Sequence, residues 1–148
     1  MREILFRGKS IDGTWHYGVP LVYTEDYVCI AAPHSYNKKV ESITIGQYTG
    51  LTDKNGKKIF EGDIVTENSG DVRLLCDINE KKGHIGVVKF GEHSVPSGDP
   101  FYWGEAYGFF VDGEVFTPAI SSYGHYYDYD LEVIGNIYDN PELMKGGV

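Results

Sequence analysis

Apolar and polar residues alternate along most of this chain with a period of two, the signature of half-buried β-strands. Residues 2–8 place Ile4 and Phe6 on one face. A turn at Asp12-Gly13 leads to a second β segment, Trp15 to Tyr23, interrupted near Gly18 and Pro20. Residues 27–31 form a third, residues 33–39 a polar loop, and Ile43 to Leu51 a further extended run. Asn55-Gly56 supplies positive φ cheaply, so residues 53–56 read as a turn. A second turn at Glu61-Gly62 separates Ile59-Phe60 from Asp63-Ile64-Val65. Residues 72–78 and 85–90 read as strands joined by a turn at 80–84. Residues 91–106 are rich in Gly, Pro and Ser and read as loop. Tyr107 to Val111 is a short strand returning through Asp112-Gly113, and residues 121–130 are a polar, tyrosine-rich loop. A last strand spans Glu132 to Tyr138, and Asn140-Pro141 opens at most one helical turn.

No window carries a long apolar stripe of helical period, so the chain is read as mainly β with very little helix. The core is expected to hold Ile4, Phe6, Ile64, Val65, Val87, Phe90, Val133 and Ile137. The length of 148 residues suits one domain and allows burial of about 70% of the unfolded surface. No run approaches a membrane span of about 18 apolar residues. The charged start, Met1 to Arg7, does not read as a signal peptide, so the cytoplasm is the expected compartment. In that reducing setting Cys29 and Cys76 are expected to be buried free thiols, with a mutual disulfide the alternative.

Charge changes the picture of partners. The formal net charge is −9, and residues 75–148 hold four Lys/Arg against twelve Asp/Glu. Between Lys89 and Lys145 there is no Lys or Arg at all. Such a field repels phosphate backbones, so nucleic acid is an unfavoured partner. An acidic face can simply aid solubility, or it can dock a basic partner.

The chemistry-bearing residues are scattered. Histidines 16, 34, 84, 93 and 125 show no metal-ligand spacing, no phosphate-binding loop or nucleophile elbow is present, and neither cofactor nor metal is expected. Asp53 begins no calcium loop, because position 64 is Ile where a closing Glu is required. The densest constellation is Tyr123, His125, Tyr126, Tyr127, Asp128, Tyr129 and Asp130, which brings an imidazole near carboxylates and phenols. Tyrosine suits interfaces, so this stretch is the expected binding surface for a protein partner or a second copy of the chain. An alternative nucleic-acid surface would stack bases on Trp15 and Tyr48 (with Tyr17 and Tyr36 in support) beside Lys54, Lys57 and Lys58, helped by Lys38 and Lys39. A small-ligand binder or enzyme built on the loops near 91–106 and 121–130 is the third class.

Two resemblances add to this reading. Glu61-Gly62-Asp63-Ile64-Val65 followed by Gly86-Val87-Val88 resembles the rhythm of small SH3-like barrels, where a Gly-Asp turn admits the chain to a strand and a later Gly permits a bend. Three longer blocks, residues 2–9 with 15–18, residues 45–65, and residues 132–143, resemble in order the YopX family of phage and prophage proteins. That resemblance implies a small SH3-like β-barrel with added hairpins, a phage or prophage setting, and no catalytic residues. The expected organisation is a single domain over 1–148, with the barrel core around 43–92 plus 131–139, a β extension over 1–42 and a loop-rich insert over 93–130. The expected role is that of a non-catalytic interaction or assembly module.

Overall fold

The computed structural model describes residues 3–67, 84–96, 103–113, 119–120 and 131–145. Two antiparallel sheets hold most of them, and the one α-helix among the described residues, α1 (Glu142–Lys145), is a single turn. The mainly β reading therefore holds. The chain divides into two compact units, residues 1–50 and 51–148.

In the first unit β1 (Phe6–Lys9), β2 (Trp15–Thr24), β3 (Tyr27–Ala31) and β4 (Lys38–Val40) lie in the spatial order β4-β3-β2-β1, and β5 (Gly46–Thr52) follows beside β1. Gly18 and Pro20 do not interrupt β2. Pairing with β1 ends at Gly18, and Pro20 follows where β3 alone runs alongside, so its missing N–H disturbs no second ladder. The core of this unit is Val28, Ile30 and Val40, with Phe6 and Ile45 packed against it. Cys29 is buried with a free thiol, while Cys76 lies outside the described residues.

In the second unit β7 (Asp63–Glu67), β8 (His84–Pro96), β9 (Trp103–Gly113), β10 (Ala119–Ile120) and β11 (Leu131–Asn136) are ordered β10-β9-β8-β7-β11. β5 ends in this unit, and β6 (Lys58–Phe60) pairs beside it after the 53–56 turn, where Gly56 takes φ of 81°. Ile59, Val65, Val88, Phe109, Val111 and Leu131 form the core, with Leu51 and Val133 against it. Both sheets are open in the described strands, with β4 and β6 at the edges of one and β10 and β11 at the edges of the other.

Further expectations need correction. Ile43 and Thr44 lie in a 3-10 turn (Ser42–Thr44) ahead of β5 and not in its extended run. Residues 91–96 and 103–106 are strand, because β8 and β9 stay in register from Gly86 opposite Gly113 to Pro96 opposite Trp103. A long ladder outweighs the breaker composition. Ile4 is 68% exposed, and it precedes the first strand. Phe90 is 45% exposed, with its ring edge-on to Tyr107 and Phe109. The last strand stops at Asn136, whose side-chain oxygen accepts the N–H groups of Tyr138 and Asp139 and turns the chain. Of the remaining expected core positions, Ile64, Val65 and Val87 are buried, while Phe6, Val133 and Ile137 are half-buried.

Candidate functional site

The exposed apolar surface of the first unit is concentrated on one strand. Tyr17, Val19, Leu21 and Tyr23 alternate along β2 and are 48%, 52%, 37% and 59% exposed. Alternation places Tyr17, Val19 and Leu21 on one sheet face. Register extends that face. Arg7 stands opposite Tyr17 and Lys9 opposite Trp15, while Cys29 stands opposite both Leu21 and Lys39. The Arg7 guanidinium lies 4.7 Å from the Trp15 ring centre, and the Lys39 ammonium 5.0 Å from that of Tyr27. Tyr23 and Tyr27 meet edge to face at 5.3 Å. A hydrogen bond shared with the Cys29 thiol, and the charge of that group, push the Tyr27 phenol above its usual range.

A groove of about 360 Å³ adjoins the hairpin tip of the same unit, lined by Ile11, Asp26, Lys39, Glu41 and Ile43 among others. Ile11 and Ile43 are 92% and 79% exposed at its rim. Asp12 nearby is held down at about 2 by the Ser10 hydroxyl and by the Thr14 backbone N–H. That carboxylate organises the turn between β1 and β2.

The buried carboxylates of the second unit are engaged by backbone. Asp53 Oδ1 accepts the N–H groups of Asn55 at 2.8 Å and Lys57 at 2.9 Å, and its Oδ2 accepts that of Val133 at 3.0 Å. Burial would raise this carboxyl, but the three N–H donors outweigh it and hold Asp53 below its usual range. Asp63, almost fully buried, accepts the Phe60 N–H at 2.8 Å through Oδ2. Burial raises the Glu61 carboxyl beside that turn. Among the described residues no three His, Cys, Asp or Glu side chains converge to hold a metal ion. No helix among them is long and apolar enough to cross a membrane.

A family model described as YopX protein matches residues 17–145. The chain belongs to the YopX family. The crystal structure of protein EF1440 from Enterococcus faecalis is similar to it with a TM-score of 0.54 and 20% sequence identity, over 97% of this chain and 99% of that one. At that identity the likeness is one of fold. The YopX blocks quoted from the sequence thus contain much of the structural machinery, including the 53–56 turn and the Gly62-Asp63 turn. Gly62 N–H donates to the Val88 carbonyl, and the Gly62 carbonyl accepts from Ile137 N–H, stitching that turn between β8 and the end of β11.

Tyr123, His125, Tyr126, Tyr127, Asp128, Tyr129 and Asp130 lie outside the described residues of this YopX protein. Of the alternative surface, Trp15 is half-buried under Arg7, and Tyr48 is buried and offers no ring face to a base. Lys54 pairs with Glu132 at 3.3 Å, Lys57 is exposed and Lys58 half-buried. Trp15 and Tyr48 belong to the first unit and the three lysines to the second. The row on β2 was not singled out from sequence. Its signal was present as alternation at 17, 19, 21 and 23, but that alternation reads equally well as a core face.

Proposed function

We propose that this YopX protein is a non-catalytic protein-interaction or assembly module, encoded by a phage or prophage and acting in the host cytoplasm. The observation that supports it is the exposed row Tyr17, Val19 and Leu21 on one face of β2, followed by exposed Val22 and Tyr23 at the register shift that ends the strand. Single exposed apolar side chains are ordinary on a protein surface, whereas a contiguous row on a rigid strand is a usual mark of contact. Tyrosine adds large contact area at small entropic cost, with a hydroxyl for the wet rim. The carboxylates used in the second unit's turns accept backbone N–H groups, which favours structure over acid–base work at those positions. In this reading the tyrosine-rich stretch 121–130 is a second contact surface, and the Gly62-Asp63 turn entering β7 supports an SH3-like kinship for the second unit.

The test replaces Tyr17, Leu21 and Tyr23 together by Ser in the full chain. Partner capture from a host lysate and the thermal midpoint are then compared with the parent protein. Lost capture at an unchanged midpoint is the expected result. Unchanged capture of every specific partner would overturn the assignment to this row.

A further inference from the structure

We propose that Asn55 is a self-modifying site: the Gly56 amide nitrogen attacks its side chain, ammonia leaves, and the Asp53 carboxylate sets the pace. The Asn55-Gly56 pair stands on the exposed turn between β5 and β6. Gly56 suits this turn because its φ of 81° lies in the left-handed region. The same residue leaves its amide nitrogen unshielded. No described atom lies within 4 Å of where a Gly56 Cβ would stand, so the pair is open to water. Asn55 alone among the asparagines of this chain is followed by glycine.

Water is the one outside reactant. The Gly56 nitrogen gives up its proton and bonds to Asn55 Cγ, the Cγ–Nδ2 bond breaks, and Nδ2 departs as ammonia with that proton. The cyclic imide then adds water. Opening at Cγ leaves an aspartate, whereas opening at the main-chain carbonyl leaves an isoaspartate whose side chain carries the backbone. The closed turn holds this reaction back. Gly56 N–H donates to the Asp53 carbonyl at 3.0 Å, so the attacking nitrogen keeps its proton in a hydrogen bond. Asp53 Oδ1 accepts the N–H groups of Asn55 at 2.8 Å and Lys57 at 2.9 Å, and the Leu131 carbonyl accepts that of Lys54 at 2.9 Å. Ring closure therefore waits for the turn to open. Asp53 dominates that opening, because its side chain holds Asn55, Lys57 and Val133 together. An isoaspartate adds a methylene to the backbone between the two N–H groups that Oδ1 spans. Either product also sets a new carboxylate beside Asp53. Both changes loosen the turn from β11, and the loss of ammonia makes them one-way.

The experiment incubates the full chain at physiological temperature and mildly basic pH. Parent, Asp53→Asn, Asp53→Ala and parent unfolded in guanidinium are compared side by side. Peptide mass spectrometry follows the change of amide to acid at Asn55, and an enzymatic assay counts isoaspartate. Rates should rise in the order parent, Asp53→Asn, Asp53→Ala, unfolded chain. The step from parent to Asp53→Ala, which removes every side-chain acceptor of the turn, should be roughly tenfold or more. Should Asp53→Ala fail to fold, Asp53→Asn carries the comparison. Parent brought by dilute guanidinium to the stability of Asp53→Asn should still react more slowly than that variant. Equal rates there would place the chemistry in the globally unfolded chain and overturn the role of the turn. A parent as fast as the unfolded chain would overturn protection by Asp53. No conversion at Asn55 even in the unfolded chain would refute the site itself.

Discussion

Replacing Asp53 by Asn tests the claim that one carboxylate fastens the 53–57 turn to β11. The two side chains have nearly the same shape, so packing is conserved and only hydrogen bonding changes. In the native protein one oxygen accepts Asn55 and Lys57 N–H, and the other accepts Val133 N–H, 80 residues further along the chain. An asparagine oxygen can keep the first two. Its NH2 group then faces the Val133 N–H, donor against donor. A hydrogen bond to a charged group contributes about 1.5–3 kcal/mol, and a buried unsatisfied N–H costs about 1–3 kcal/mol. Because the two effects describe one contact, Asp53→Asn should cost about 2–3 kcal/mol in all, and Asp53→Ala, which removes all three acceptors, about 4–5 kcal/mol. Urea unfolding reads the total and amide exchange of Val133 reads the contact itself. The pH dependence supplies a sign. Asp53 is held below its usual range in the folded state, so its contribution is present above the unfolded carboxyl value of about 3.9 and is lost as pH falls through the lower folded value. The gap between parent and Asp53→Asn should therefore narrow in acid. An unchanged midpoint with unchanged Val133 protection would refute the reasoning.

Other changes separate core from surface. Ile64→Ala, at a fully buried position, should cost about 2–5 kcal/mol, whereas Phe90→Ala should cost only about 1–2 kcal/mol from its lost ring contacts, both read by urea unfolding. Gly86→Ala would set its Cβ 2.3 Å from Val111 Cγ1 and 3.1 Å from the Asp112 carbonyl oxygen, so a loss of about 1–3 kcal/mol in the same assay is expected. The Asp12 carboxyl should titrate at about 2 by NMR and move up towards the ordinary carboxylate range in Ser10→Ala, because the Ser10 hydroxyl is its leading stabiliser.

Much of the architecture was legible in the residues because strands and tight turns are local. Period-two alternation located β1 and β2, short apolar runs beside turns located β3 and β7, and the Asn55-Gly56 and Glu61-Gly62 turns could be read from their composition, with φ observed as 81° at Gly56 and 90° at Gly62. The family could be read as well, since contiguous blocks carry it. Alternation, however, says that a strand has two faces and not which one a neighbour covers. Tyr17, Val19, Leu21 and Tyr23 have the pattern of a buried face and are exposed, and Tyr48 reads as a stacking aromatic and is buried. Phe90 continues the apolar run of Val87 and Val88, yet it is 45% exposed. The length of β8 and β9 was likewise hidden, because a ladder between distant segments can hold residues whose own preference is loop. Asp53 shows the same limit most clearly. Its spacing identified a turn, but the partner that makes its carboxylate structural is the Val133 N–H, which only the paired β-sheet brings within reach.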